Sequence, residues 1–347
     1  MGSGLSTCAG MSFRSAAESA AMMLARRVYG GIGSIFCLHR IVPEGERSAL
    51  PDNRALEITP ESLREMLAWV AGRGMDVIAL DQVAARLARP RGGKFACFTF
   101  DDGYRDNLTL ALPVFREFGM PFAVHVAPGL VDGSASLWWY QVEAALGQGE
   151  RLDFTWRGRD YRWVAGSRSA FPALAKVIRE QEGVAREELV AAICGAAGID
   201  ARGVQARLMM TWEEVRRLAA DRLVTIGAHT VTHPVLKLLG EAEALAEMAD
   251  SKRQLEVQLG GPVRHLAFPF GGANAVGSRE FRLAGEAAFS TATTTRCANL
   301  FAAHARHLTA LPRLTVSGNY PAVDRLRKLE SGLLSARERK WQRVVVE

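Results

Sequence analysis

The chain has 347 residues, 48% of them hydrophobic and 23% charged, with a formal net charge of +6. This is the composition of an ordinary globular protein with enough apolar mass for one barrel-sized domain or two smaller ones, and it excludes a disordered or low-complexity chain. No apolar run approaches bilayer length, no nucleic-acid motif accompanies the positive charge, and the N-terminus lacks an apolar core followed by a cleavage site, so a cytoplasmic setting is expected. The five cysteines, Cys8, Cys37, Cys97, Cys194 and Cys297, are scattered and form no C-x-x-C pair, which argues for reduced, buried thiols.

In chain order, residues 1–33 contain a short amphipathic helix over Ala16 to Arg27. Ser34–Leu38 reads as a strand ending at His39. A helix follows from Pro60, capped by Thr59, with Leu63, Met66, Leu67 and Val70 on one face and Gly72 as its stop. Val77–Leu80 is the next expected strand, and Asp81 the expected cap of a helix ended by Pro90. Phe95–Phe100 is a strand, Ala111–Phe118 a helix closed by Gly119, and Phe122–Ala127 a strand. The rhythm then breaks over about 131–210, which reads as a largely helical insertion carrying Trp138-Trp139 and a Trp156–Trp163 segment. Thr211-Trp-Glu-Glu214 is a capping box that restarts the pattern. Strand Leu223–Ala228, a long helix over Glu241–Leu259 stopped by Gly260-Gly261, strand His265–Phe268, and the segments Phe289–Thr294 and Leu314–Val316 complete the series.

Such alternation calls for a parallel α/β sheet, either a closed barrel or an open doubly wound sheet. His39, Asp101, Asp102, His229 and the Pro269-Phe-Gly-Gly272 segment all fall at C-terminal strand ends. Several strands feeding one rim favour a barrel mouth over a single switch point. The domain is expected to span 34–320, followed by a basic tail at 321–347. That tail holds seven Lys or Arg against four Asp or Glu, and it suits a solvated final helix or a contact with an acidic glycan, RNA or a lipid headgroup surface, the last making the protein peripheral to the inner membrane.

The chemistry concentrates at two places. Asp101-Asp102 follows a buried strand, so each carboxylate needs a partner. His229 and His233, four apart behind another apolar run, offer one. A carboxylate and two imidazoles make a three-ligand site for a divalent metal with a position left for water, and the second carboxylate is then free to act as a base. Zinc is the default for such donors, with cobalt, nickel, manganese or iron also fitting. Of the other histidines, His125 is expected in the core or rim, His265 at the wrong strand end, and His304 and His307 in an exposed loop.

Thr99-Phe-Asp-Asp-Gly-Tyr104 with His229-Thr-Val-Thr-His233-Pro234 resembles the first two motifs of the NodB-homology polysaccharide deacetylases, carbohydrate esterase family four, and Phe268-Pro-Phe-Gly271 looks like their third. The resemblance covers about 34–316. It implies a distorted (β/α)7 barrel and metal-dependent hydrolysis of N-acetyl groups on amino sugars. Carried over by motif, Asp101 is the base, Asp102, His229 and His233 bind the metal, and the backbone N–H of Phe270 faces the oxyanion. The family's usual C-terminal Leu-x-His is missing. Cys37-Leu-His39-Arg-Ile41 instead resembles the N-terminal motif of a permuted branch related to biofilm-polysaccharide deacetylases, which makes His39 the general acid. Arg313 is expected to orient Asp101 in place of an Arg missing before Phe268. Tyr104, Trp138 and Trp139 are candidate substrate contacts, the tryptophans being suited either to stacking on sugar rings or to the core.

The expected substrate is an N-acetylated polysaccharide, oligosaccharide or glycolipid. Two other readings stay open: a hydrolase of a non-glycan amide or imide on the same barrel, and a catalytically silent glycan-binding protein.

Overall fold

The computed structural model describes residues 9–90, 92–164, 169–181, 183–338 and 342–346. Seven parallel strands form its centre: β1 (Gly33–Leu38), β2 (Phe95–Phe100), β3 (Phe122–Val126), β4 (Val224–Ala228), β5 (His265–Ala267), β6 (Thr291–Thr293) and β7 (Leu314–Thr315). They pair in the order β6-β5-β4-β3-β2-β1-β7, so every neighbour in space is a neighbour in sequence except where β1 meets β7. A single parallel bridge, Thr293 with Leu311, draws β6 towards the segment leading into β7. The result is a distorted seven-stranded barrel, with a short extra strand, Asp76–Val77, paired to the start of β2. The expected strand at Val77–Leu80 is therefore shorter, because Leu80 already begins the helix Leu80–Ala88.

The barrel forms because its strands are apolar on both faces. Every residue of β1, β2 and β3 is buried, as parallel strands covered by helices require. The helix Pro60–Gly72 begins where the Thr59 hydroxyl accepts from the Ser62 N–H, and it presses Leu63, Met66, Leu67 and Val70 into the core. Asp81 does not cap its helix, whose N-cap is Ala79. Its carboxylate instead accepts from Thr225 Oγ1 (3.1 Å) and pairs with His265 Nε2 (3.0 Å) at the N-terminal rim.

The insertion builds a second apolar cluster over one side of the mouth, from the helices Trp138–Leu146, Ala170–Arg179, Gly183–Ala196 and Ala201–Leu208. The Trp156–Trp163 segment lies in an antiparallel hairpin, Arg151–Trp156 with Arg159–Val164, turned at Arg157-Gly158, both in the left-handed region. Phe154 stacks on Tyr161 there at 4.9 Å. The final segment is half buried: helix Ala322–Glu330 puts Leu326 and Leu329 into the barrel's apolar cluster, and Glu330 pairs with Arg26 of the N-terminal helix Ala9–Tyr29. Cys37, Cys97 and Cys194 are buried free thiols and Cys297 is partly exposed; Cys8 lies outside the described residues.

Candidate active site

Strand register assembles the site. β1 and β2 pair Leu38 with Phe100, and β2 and β3 pair Phe100 with Val124. One residue further on, His39, Asp101 and His125 therefore come side by side at the C-terminal ends. β3 and β4 pair Val126 with Ala228, which delivers His229 to the same rim. Here the backbone is bent hard: Asp102 (φ 75°), Thr230 (φ 61°), His233 (φ 55°) and Phe270 (φ 59°) all occupy the left-handed region that non-glycine residues avoid. Four such residues gathered at one rim are strain that the surrounding packing holds in place, as functional sites do.

Asp102 Oδ1 lies 3.3 Å from His229 Nε2 and 3.4 Å from His233 Nε2, all three residues being buried. This oxygen has no hydrogen-bond partner among the described residues. His229 Nδ1 donates to the Ala267 carbonyl at 2.7 Å, which turns Nε2 towards Asp102. A buried carboxylate oxygen and two inward-facing imidazole nitrogens, all within 4.8 Å of one another, are the donor set of a divalent cation. The carboxylate charges favour a proton on His229. Burial opposes a charged ring at His229, but the Asp101 and Asp102 carboxylates outweigh it and hold His229 above its ordinary range, whereas burial pushes His233 down to about 3. Burial likewise resists the charge on Asp102, yet His229, His233 and His39 keep its carboxyl below the usual range.

Asp101 is held differently. Arg313, fully buried, donates from Nη1 to Oδ1 (2.7 Å) and from Nη2 to Oδ2 (2.6 Å). The guanidinium is itself fixed on the Thr294 carbonyl and the Thr99 hydroxyl. Burial would raise the Asp101 carboxyl, but Arg313, His229 and His125 reverse that and leave it ionised well below the usual range. His39 contributes a nitrogen within 4.8 Å of an Asp101 oxygen and the Cys37 sulfur. Burial lowers its pKa, with Asp102 and Asp101 pulling the other way.

A cavity of about 430 Å³ opens over these groups. His39, Asp101, Asp102, His229, His233 and Phe270 line its floor, and Trp138, Trp139 and Phe171 of the insertion wall it. The Trp139 ring stands 5.2 Å from His233, and Trp138 lies nearly parallel to Phe171 at 6.4 Å. Phe270 turns its ring onto His233 at 4.9 Å. Gly271 beside it has no alternative, since a Cβ there would meet the Thr295 nitrogen at 2.5 Å.

Tyr104 does not reach the cavity. It is fully buried behind Trp139, its hydroxyl accepting from Trp139 Nε1 at 2.8 Å, so its work is to hold the indole. His304 is likewise buried, with Nδ1 accepting from the Phe301 N–H at 2.9 Å, while His307 is exposed. His265 sits at the opposite end of the barrel, at the start of β5. His125 lies in the core, as expected, and has a partner the sequence does not show: its ring, fully buried, is 3.1 Å from Asp101 Oδ1.

Sequence reasoning also missed the supports. Arg186 of the insertion donates to the carbonyls of Thr232 and His233, and Glu247 accepts from the N–H groups of Val231 and Thr232, so the histidine loop is clamped from both sides. Arg40 binds Asp106 (2.8 Å) and Glu57 (3.2 Å), and Glu57 accepts from the Tyr140 hydroxyl, tying the His39 strand end to the tryptophan helix. No local signal marks these residues; each is found only by its partner.

A sequence profile described as Polysaccharide deacetylase matches residues 88–285. Over 72 residues the chain is 32% identical to the poly-beta-1,6-N-acetyl-D-glucosamine N-deacetylase of Escherichia coli (strain K12), a stretch that is 20% of this chain and 11% of that protein. The chain thus spans about a tenth of the length of the curated relatives it matches. Among solved structures, the Streptococcus pyogenes deacetylase PplD in complex with acetate aligns with a TM-score of 0.55 at 16% identity, covering 86% of this chain and 97% of that one. IcaB from Ammonifex degensii aligns with a TM-score of 0.55 at 18% identity, covering 87% and 98%. These two likenesses bear on the fold, which they share. The profile spans more than half of the sequence and takes in both the Asp101-Asp102 pair and the two rim histidines, and on that ground the chain belongs to the polysaccharide deacetylase family.

Proposed function

We propose that this protein removes N-acetyl groups from an amino-sugar glycan, free or lipid-linked, with release of acetate. The observation that carries the reading is the division of labour between adjacent aspartates: Asp102 Oδ1 faces two imidazoles with no hydrogen-bond partner among the described residues, while Asp101 is locked on Arg313. One carboxylate is left for a cation and the other for proton transfer.

Asp102, His229 and His233 would hold the metal, zinc being the choice that best suits one oxygen and two nitrogen donors. When bound, such an ion polarises a carbonyl and lowers the pKa of water towards neutrality. The chain's own groups do the rest. Asp101, ionised at any pH near neutrality, accepts the proton of the attacking water, and Arg313 keeps its carboxylate aimed while doing so. The Phe270 N–H, on a backbone turned back at φ 59°, is the proposed donor to the tetrahedral oxyanion. His39, on the same cavity floor as Asp101, returns a proton to the departing amine. Burial favours the neutral ring at rest, and the proton it hands on is the one Asp101 took from the water, so none is gained or lost overall. Trp138 and Trp139 offer flat apolar faces to the sugar.

Incubation with N-acetylglucosamine oligomers and assay of acetate, with and without a chelator, tests the proposal. Metal-restorable acetate release is expected. Turnover of small cyclic imides with none of glycans would replace the substrate class, and glycan binding without acetate under metal-replete conditions would remove the hydrolytic reading.

A further inference from the structure

The proposed mechanism leaves one buried group beside the base without a task. His125 is fully buried in β3, and its Nδ1 lies 3.1 Å from Asp101 Oδ1. Asp101 takes a short donation from Arg313 on each of its oxygens, so it faces His125 as an acceptor and the ring nitrogen turned towards it must carry the proton; a lone pair there would repel it. His125 is therefore the Nδ1–H tautomer. Burial pushes its pKa down to about 4, so the ring is neutral and its far nitrogen, Nε2, is a bare acceptor. That nitrogen is buried with no hydrogen-bond partner among the described residues. An unmet buried acceptor is unfavourable, and an apolar residue at this position would avoid it.

The neighbouring strand makes room for the ring. β3 and β4 pair His125 with Gly227, and a Cβ on Gly227 would lie 2.4 Å from His125 Cδ2 and 3.0 Å from Nε2. Gly227 is in regular strand geometry and has no left-handed φ to explain it. The glycine is explained by the imidazole it faces.

The donors around Asp101 fall unequally on its two oxygens. Oδ1 accepts from Arg313 Nη1 at 2.7 Å and from His125 Nδ1 at 3.1 Å, which fills both of its lone-pair directions. Oδ2 accepts from Arg313 Nη2 at 2.6 Å, and its second direction meets only the weak Cys37 S–H at 3.5 Å. We propose that His125 is a positioning residue for deacetylation: by saturating Oδ1 it fixes the carboxylate and leaves Oδ2 as the atom that takes the proton. Water's O–H bond breaks, the proton passes to Oδ2 with the thiol displaced, and the water oxygen bonds to the acetamide carbon as the C=O π pair moves onto the carbonyl oxygen, so Asp101 becomes a neutral carboxylic acid and its negative charge reappears on the oxyanion.

This inference rests on Asp101 serving as the base of a deacetylase, and its test separates the two. In the metal-loaded full chain, His125→Asn keeps an amide N–H close to the place of Nδ1–H, and His125→Leu removes it. His125→Leu is expected to lower kcat on the order of 10–100-fold with KM and bound metal unchanged, and His125→Asn to restore most of that loss. Equal kcat in His125→Leu and wild type, or a His125→Asn variant as impaired as His125→Leu, overturns it. A second readout does not depend on any activity or on either variant folding. Long-range proton–nitrogen correlation spectra of the ¹⁵N-histidine-labelled wild type are expected to show His125 as a neutral Nδ1–H tautomer with a slowly exchanging proton. An Nε2–H tautomer at His125 overturns the assignment even if acetate is released, whereas an Nδ1–H ring in a protein that releases no acetate overturns the deacetylase reading and leaves the Oδ1 contact standing.

Discussion

Replacing Arg313 with Met tests how the barrel centre carries its charge. Arg313 and Asp101 are buried, 0% and 2% exposed, and share two short hydrogen bonds, so the substitution leaves a carboxylate in the core without its counter-ion. Removing one partner of such a pair costs about 3–5 kcal/mol. At about 2.1 cal/mol/K of unfolding entropy per residue, a 347-residue chain loses roughly 1.4 °C in Tm per kcal/mol, so a fall of roughly 4–7 °C is expected at neutral pH. The pH dependence gives the sign. In the wild type the Asp101 pKa is depressed in the folded state, so its contribution is present above the unfolded value of about 3.9 and lost as pH falls through the folded value. In Arg313→Met burial is no longer opposed by the guanidinium and the folded pKa rises. The variant then loses stability as pH climbs from about 4, and the gap to wild type widens towards neutrality. The double variant Asp101→Asn/Arg313→Met has no buried charge and is expected to recover most of the loss. Thermal and urea unfolding of the three proteins at equal metal load, from about pH 4 to pH 7, measures this. A single variant within about 1 kcal/mol of wild type at pH 7, or a gap independent of pH, would refute the reasoning.

Asp101→Asn is expected to lower acetate release by about 10²–10⁴-fold and leave metal content unchanged, since Asp101 is assigned as base and not as ligand; loss of metal in that variant would exchange the roles of the two aspartates. His39→Ala is expected to slow amine release by on the order of 10²-fold with metal retained, and unchanged kinetics would remove His39 from the mechanism. Metal affinity is expected to fall roughly tenfold per pH unit below the raised pKa of His229, because that ring must lose its proton to ligate. In the metal-free protein the same raised pKa adds stability below about pH 6.5 that is lost as pH rises through the folded value. Competition titration with a chromophoric chelator between about pH 6 and 8 measures the affinity, and a flat profile would contradict the charged state assigned to His229.

The sequence alone determined the parts whose physics is local. Strands such as Phe95–Phe100 and the helix Glu241–Leu259 are legible because apolar period and stop residues act over a few positions. Asp101-Asp102, His229 and His233 are legible because a charge or an imidazole at a strand end, following a buried run, has few other uses. Only the tertiary structure decided what register controls. His125 is one apolar-looking strand position among five until β2 and β3 are set side by side, and a slip of one residue would turn it outward. Tyr104 looks like a substrate contact in its motif, and becomes a buried support because the insertion lays Trp139 over it. Arg186 and Glu247 acquire their purpose from the carbonyls and N–H groups of a loop that lies far from Arg186 in sequence and on another element from Glu247. A strand's own residues fix which faces are apolar, but which side chain meets which across the barrel is set by the pairing of strands, and that information resides in no single segment of the chain.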